Sequence, residues 1–196
     1  MGKVWLISDN HFNHQKIIEY CNRPFKTVEQ MNEEMIKKWN SVVKEDDKIY
    51  HLGDFGFGSK EQIANIVSKL NGRIFLILGN HDNHTPQWYR DCGIKEVYDY
   101  PVIIRDFIVL SHAPQPFMSG NNGLSFIYGH IHDNNCFPTW TKNSCCVCVE
   151  RHNYIPINLE KIIKSKRFAS VCSANILFTS ANISFPLSYF SIYIIS

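Results

Sequence analysis

The sequence predicts an α/β fold in which short buried strands alternate with amphipathic helices. Three observations carry that expectation. Runs of four to six apolar, largely β-branched or aromatic residues recur along the chain, as in "KVWLIS", "DKIYHL", "RIFLIL", "DFIVL" and "LSFIY". Such runs are the pattern of strands covered on both faces. Between them lie two segments with helical spacing and helix-start signals. Each apolar run is followed at once by polar residues of ligand type: "DNHFNH", "GDFGFG", "GNHDNH", "SHAP" and "GHIH".

The first run leads into Asp9 and His11, and then "TVEQMNEEMIKKWNSVV" reads as a helix. Thr27, with Gln30 three residues on, has capping-box spacing. Val28, Met31, Met35, Trp39 and Val42 share one face, and a stripe of this kind is expected in a core. The second run ends at Gly53-Asp54. "SKEQIANIVSKL" repeats the device with Ser59 and Gln62, lines up Ile63, Ile66, Val67 and Leu70, and stops at Asn71-Gly72. His51, inside the second run, is expected to be a packed, hydrogen-bonded histidine. The third run leads into Asn80-His81-Asp82, the fourth into Ser111-His112, and the fifth into His130 and His132. One residue separates the last two, and in extended backbone they would point to the same face. "CCVCV" alternates thiols with valines and reads as a strand. Its Cys145-x-x-Cys148 spacing has no second CxxC to complete a zinc site. A turn and a closing helix capped near Asn158 follow. No partner pattern assigns His84 or His152.

The 196 residues, 44% hydrophobic and 19% charged, suit a globular domain over 1–165 and a tail over 166–196. A net charge of +2 gives no bulk electrostatic case for nucleic acid or an anionic membrane. An odd set of seven irregularly spaced cysteines and an N-terminus that enters a strand directly favour free thiols and a cytoplasmic location. Beyond Arg167 the tail carries no charge. Its length would cross a bilayer, but about a third of it is Ser, Asn or Thr and Pro186 interrupts it. Added strands, a partner-binding tail or unordered polypeptide fit it better.

In open α/β sheets the ligand site lies beyond the carboxyl ends of the strands. The residues gathered there are Asp9, His11, Asp54, Asn80, His81, His112, His130 and His132. This oxygen and nitrogen set suits divalent cations such as Mn²⁺, Fe²⁺ or Zn²⁺. It exceeds the three protein ligands of one catalytic zinc. It fits two ions about 3.5–4 Å apart that share a carboxylate. Two such ions bring four positive charges and the two aspartates return two, leaving a deficit that a hydroxide and a phosphate ester would fill. Metal-bound water reaches a pKa of about 7, which supplies a nucleophile at neutral pH.

The ordered series D-x-H (Asp9, His11), GD (Gly53, Asp54), GNHD (Gly79 to Asp82), SH (Ser111, His112) and GHIH (Gly129 to His132) resembles the calcineurin-like metallophosphoesterases. "FNH…CNRPF", "YHLGDFGFG" and "LGNHD" are most similar to their small bacterial and viral branch. The resemblance implies a two-sheet β-sandwich flanked by helices, a four-layer αββα arrangement. It implies that Asp9, His11 and His132 bind one metal and Asn80, His112 and His130 a second, with Asp54 bridging. The same resemblance makes His81 the general acid, with Asp82 orienting it. Mn²⁺ is the first choice of ion, with Fe²⁺, Zn²⁺, Ni²⁺ or Co²⁺ as alternatives. The implied reaction is cleavage of a small phosphodiester, phosphomonoester or nucleotide by a metal-bridging hydroxide.

One departure is informative. The protein Ser/Thr phosphatases of the superfamily have GDxxDRG, whose arginine holds the phosphoryl group, whereas this chain reads "GDFGFGS". That argues against phosphoprotein substrates. Arg23 or His14 would supply a phosphate contact instead, unless each is structural. A nuclease remains an alternative, without a basic stripe or aromatic platform in the sequence to favour it. The rival from another class is a scaffold that keeps the fold and loses the ligands; here all seven ligand positions and His81 are filled.

Overall fold

The computed structural model describes residues 2–116, 118, 123–136, 138–165 and 193–195. The first apolar run forms β1 (Val4–Ile7), and a short helix α1 (Gln15–Tyr20) follows the first polar loop. Helix α2 (Val28–Asn40) begins where Thr27 accepts the N–H of Gln30 at 3.2 Å. The box is not closed, because Gln30 reaches back one residue further and accepts the N–H of Lys26. Met31, Met35 and Trp39 are fully buried, while Val42 lies past the helix end. Strand β2 (Lys48–His51) and helix α3 (Lys60–Val67) come next, and here Ser59 and Gln62 do make the reciprocal capping box. Ile63, Ile66, Val67 and Leu70 are all buried, as their spacing requires.

Strand β3 (Arg73–Ile77), helix α4 (Pro86–Asp91) and strands β4 (Glu96–Tyr98), β5 (Val102–Ile104), β6 (Ile108–Ser111) and β7 (Ser125–Tyr128) follow. The "CCVCV" segment supplies only β8 (Ser144–Cys146), then breaks into a 3-10 turn over Val149–His152. A two-residue strand β9 (Ile157–Asn158) leads into α5 (Leu159–Lys164), where Asn158 accepts the N–H of Glu160. Tyr193–Ile195 form β10, so these three residues of the expected tail are an added strand; residues 166–192 and 196 lie outside the described residues.

These strands make two mixed sheets, in the orders β4-β3-β2-β1-β9 and β10-β5-β6-β7-β8. Strands β1 to β4 run parallel in the first, and β6 to β8 run parallel in the second. Alternation sorts the side chains between two cores. Leu6, Tyr50 and Ile77 face Val102, Leu110 and Ile127 across the sandwich. Trp5, Ile7, Ile49, Ile74 and Leu76 face α2 and α3 on the other side of the first sheet. Residues alternating between two buried faces explain why these strands read as continuous apolar runs. The expected α/β fold, a two-sheet sandwich with flanking helices, is the one observed. Among the described residues no helix is long and apolar enough to cross a membrane.

Candidate metal centre

The carboxyl ends of β1, β2, β3, β6 and β7 bring all eight expected site residues to one end of the sandwich. The backbone there is unusual. Asp9, His11, Asp54, His130 and His132 all have positive φ, between 45° and 73°. Left-handed conformation is uncommon for such residues and costs about 1–3 kcal/mol each where it is strained, so its concentration at one cluster marks a functional site. His130 and His132 are therefore not extended, which corrects the strand-based argument for their pairing. His130 Nδ1 lies 2.9 Å from Asn80 Oδ1 and 3.1 Å from His112 Nε2. His132 turns the other way, toward Asp9 and His11; its Nε2 lies 3.8 Å from Asp9 Oδ1.

Each aspartate is held by one oxygen and directs the other into the cluster. Asp9 Oδ2 accepts the N–H of His130 at 2.9 Å. Asp54 Oδ1 accepts the N–H of His81 at 2.9 Å, while its Oδ2 lies 3.4 Å from His11 Nε2 and 3.5 Å from His112 Nε2. These close approaches explain two of the motif glycines. A Cβ on Gly79 would stand 2.2 Å from Asp54 Oδ1, and one on Gly129 would stand 2.5 Å from Asp9 Oδ2. The histidines are oriented as well. His112 Nδ1 meets the Leu52 carbonyl at 2.8 Å, which leaves Nε2 for the cluster.

Electrostatics favour a cation. Burial opposes ionisation of Asp54, but the imidazoles of His11 and His112 and the His81 N–H hold it well below the usual carboxylate range. Burial also opposes protonation of His132, yet Cys21, Glu150 and Asp9 push its pKa up to about 10, the signature of a strongly negative setting. Asp9 Oδ1 and His11 Nε2 are buried with no hydrogen-bond partner among the described residues. Such atoms are costly unless something else satisfies them, and a bound cation would satisfy both. The residues therefore fit a divalent metal. Asp9, His11 and His132 form one group of donor atoms within 4.8 Å, and Asp9, Asp54 and His112 form another.

One residue departs from expectation. The carboxylate of Asp82 does not serve the His81 ring. It accepts the backbone N–H groups of Asp54, Phe55 and Gly79 at 2.7–3.0 Å and the Tyr89 hydroxyl at 3.4 Å, which ties two site loops together. Arg23 takes the structural one of its two expected roles. It is buried and donates to the carbonyls of Asp9 and Asn10, to Met31 Sδ and to Glu150, which engages all five of its N–H groups. His14 stays close to the site, 3.4 Å from His11 Nδ1, with its pKa lowered to about 4 by burial and by the neighbouring His11 and His81.

Glu150 escaped the sequence reading. Its Oε1 accepts from His132 Nδ1 at 2.9 Å and from Arg23 at 2.7 Å. A carboxylate that takes the far N–H of an imidazole fixes the tautomer and ring of a ligand histidine. No motif spacing reveals it, because Glu150 follows a strand outside the five clusters. Cys146 and Cys148 are buried beside it, and no disulfide occurs among the described residues.

The pattern of the calcineurin-like phosphoesterases matches residues 2–165. The chain belongs to that family. It is a metal-dependent phosphoesterase. An uncharacterized protein of Methanocaldococcus jannaschii is 38% identical to the phosphoesterase over an alignment of 170 residues; the match covers 84% of this chain and 91% of that protein. The gene 66 protein of Mycobacterium phage L5 is 40% identical over an alignment of 89 residues; the match covers 44% of this chain and 42% of that one. The crystal structure of a protein of unknown function from Aquifex aeolicus superposes on the phosphoesterase with a TM-score of 0.64 at 26% identity. The match covers 84% of this chain and 99% of that one.

Beneath the site, His51 is the packed histidine its strand position suggested, fully buried with Nε2 3.0 Å from Asn10 Oδ1. Burial lowers its pKa to about 3, against the opposing charge of Asp54. In the unfolded chain it would take up a proton near pH 6.5. Between those values the unfolded state binds more protons, so stability present above pH 6.5 is lost as pH falls toward 3. In chelator, wild-type protein is expected to lose about 2 kcal/mol more between pH 7.5 and 5 than His51→Gln. Urea unfolding at the two pH values reads the difference, and parallel losses would contradict it.

Proposed function

We propose that this phosphoesterase is a dinuclear hydrolase of small phosphoesters. Asp9, His11 and His132 would hold one divalent ion, Asn80, His112 and His130 the other, with Asp54 between them. One observation carries the reading: a single buried oxygen, Asp54 Oδ2, faces His11 and His112 at nearly equal distances. When bound, the ions supply Lewis acidity and lower the pKa of water to near neutral; Mn²⁺ is the first candidate by donor type.

The chain's own residues do the rest. Asn80 and the neutral imidazoles add no negative charge, so the site favours an anionic ester. The His81 ring is exposed at the edge of the cluster, with its centroid 5.4 Å from that of His11. From there it gives a proton to the leaving oxygen as the P–O bond breaks, a task suited to an imidazole. The Asp54 bond to the His81 N–H fixes that loop relative to the donors. Arg23, engaged internally, is not free to hold a phosphoprotein substrate as the arginine of the GDxxDRG phosphatases does.

Metal analysis of protein loaded with Mn²⁺ and then desalted is expected to give two ions per chain. A ceiling of one would overturn the dinuclear reading and leave a mononuclear phosphoesterase.

A further inference from the structure

Three segments that lie far apart in sequence meet on the Nδ1 side of the His132 ring, while its Nε2 looks toward Asp9. Cys21 caps the end of α1, Glu150 lies in the 3-10 turn after β8, and His132 follows β7. One donor atom from each of Cys21, Glu150 and His132 lies within 4.8 Å of the other two. Ligand atoms around a tetrahedral zinc with bonds of about 2.0–2.3 Å stand ~3.5 Å apart, so small side-chain shifts close the group on an ion. The group differs in kind from the candidate dinuclear centre because it contains a thiol. A thiolate selects Zn²⁺ over Mn²⁺, whereas the oxygen and nitrogen donors next to it suit Mn²⁺.

A second observation points to a ligand there. Glu150 Oε1 accepts from Arg23 at 2.7 Å and from His132 Nδ1 at 2.9 Å. Its other oxygen, Oε2, is buried with no hydrogen-bond partner among the described residues, on a side chain 5% exposed. A buried carboxylate oxygen in that condition is costly, and a cation held between it and Cys21 would satisfy it. The frame is fixed by backbone bonds. The N–H of Cys21 donates to the Ile17 carbonyl at 3.0 Å, and Arg151 Nε donates to the His132 carbonyl at 2.5 Å. Cys21 is half-buried and the His132 side chain is 22% exposed, so an ion can enter from solvent.

We propose that Cys21, Glu150 and His132 form a second, thiolate metal site that takes Zn²⁺ and slows the phosphoesterase when filled. One imidazole serves both sites, and as a neutral ring it cannot serve them together. With Zn²⁺ on Nδ1 the ring proton moves to Nε2, which then has no lone pair for the Asp9 and His11 half. The thiol proton of Cys21 passes to solvent as the Zn–S bond forms. The site itself stands apart from the dinuclear reading, and its effect on hydrolysis rests on that reading.

Two readouts test it on the full chain. Wild-type protein loaded with Mn²⁺ and then given Co²⁺, a spectroscopic stand-in for Zn²⁺, is expected to develop a thiolate-to-cobalt charge-transfer band in the near ultraviolet. Cys21→Ser is expected to lose the band, and Cys136→Ser, altered at an exposed thiol, to keep it. The second readout is hydrolysis of a nitrophenyl phosphodiester in excess Mn²⁺. Zn²⁺ is expected to inhibit the wild type at a concentration at least about tenfold below that needed for Cys21→Ser, whose activity without Zn²⁺ stays within about threefold of wild type. No band in the wild type, a band that survives Cys21→Ser, or equal inhibition of both proteins would overturn the proposal. Equal inhibition would mean that Zn²⁺ acts by replacing Mn²⁺ in the dinuclear centre. A melting curve checks each fold, and Cys21→Ala takes the place of Cys21→Ser if that variant unfolds. Without Mn²⁺-dependent turnover on any ester the hydrolase reading fails, and the cobalt band alone then decides the site.

Discussion

Asp54→Asn is expected to lower phosphoester hydrolysis by at least about 10³-fold and to leave the protein with one bound metal or none. Asparagine keeps the shape of the side chain, and its oxygen still accepts the His81 N–H that Asp54 Oδ1 accepts now. Its amide would face the two imidazoles that Oδ2 now faces at 3.4 and 3.5 Å. The fold thus retains its local bonds while the negative charge disappears, and the two cations of the proposed centre would be left with Asp9 as their one carboxylate ligand. Metal content after desalting and kcat/KM in Mn²⁺, measured beside a melting curve, separate this effect from unfolding. Two retained ions together with activity within tenfold of wild type would remove Asp54 from the bridging position.

His81→Ala has the second large effect, and its signature is selectivity. Loss of a general acid costs about 10²–10⁴-fold, but only where the leaving oxygen needs a proton. An alkyl ester departs as a basic alkoxide and should suffer the whole loss, whereas a nitrophenyl ester departs as a stable phenolate and should lose little. The backbone N–H of residue 81, which anchors the loop to Asp54, survives the substitution. Equal losses in kcat on both esters would point to a structural role for the ring.

Much of this was legible locally. Period and caps located β1, β2, β3, β6, β7, α2, α3 and α5, because an apolar run or a helical stripe is visible within a dozen residues. Four elements escaped: β4 and β5 have three residues each, α1 has no side-chain cap at its start, and α4 has one buried residue, Tyr89, too few to show a stripe. The candidate cluster could be read because each member follows a strand end. The supporting residues could not. Asp82 follows His81 in sequence, yet its carboxylate binds the backbone of Asp54 and Phe55, and Glu150 meets Arg23 from 127 residues away.

The sequence by itself determined the family, the strand ends and the residue types gathered there, since apolar runs, turn glycines and ligand side chains are local choices. Only the tertiary structure decided that Asp54 stands between His11 and His112 and that His130 and His132 turn to opposite halves. Those relations depend on strand order and on left-handed backbone at the loop ends. Both are fixed by packing between segments as far apart as Asp9 and His130, and no local pattern encodes them.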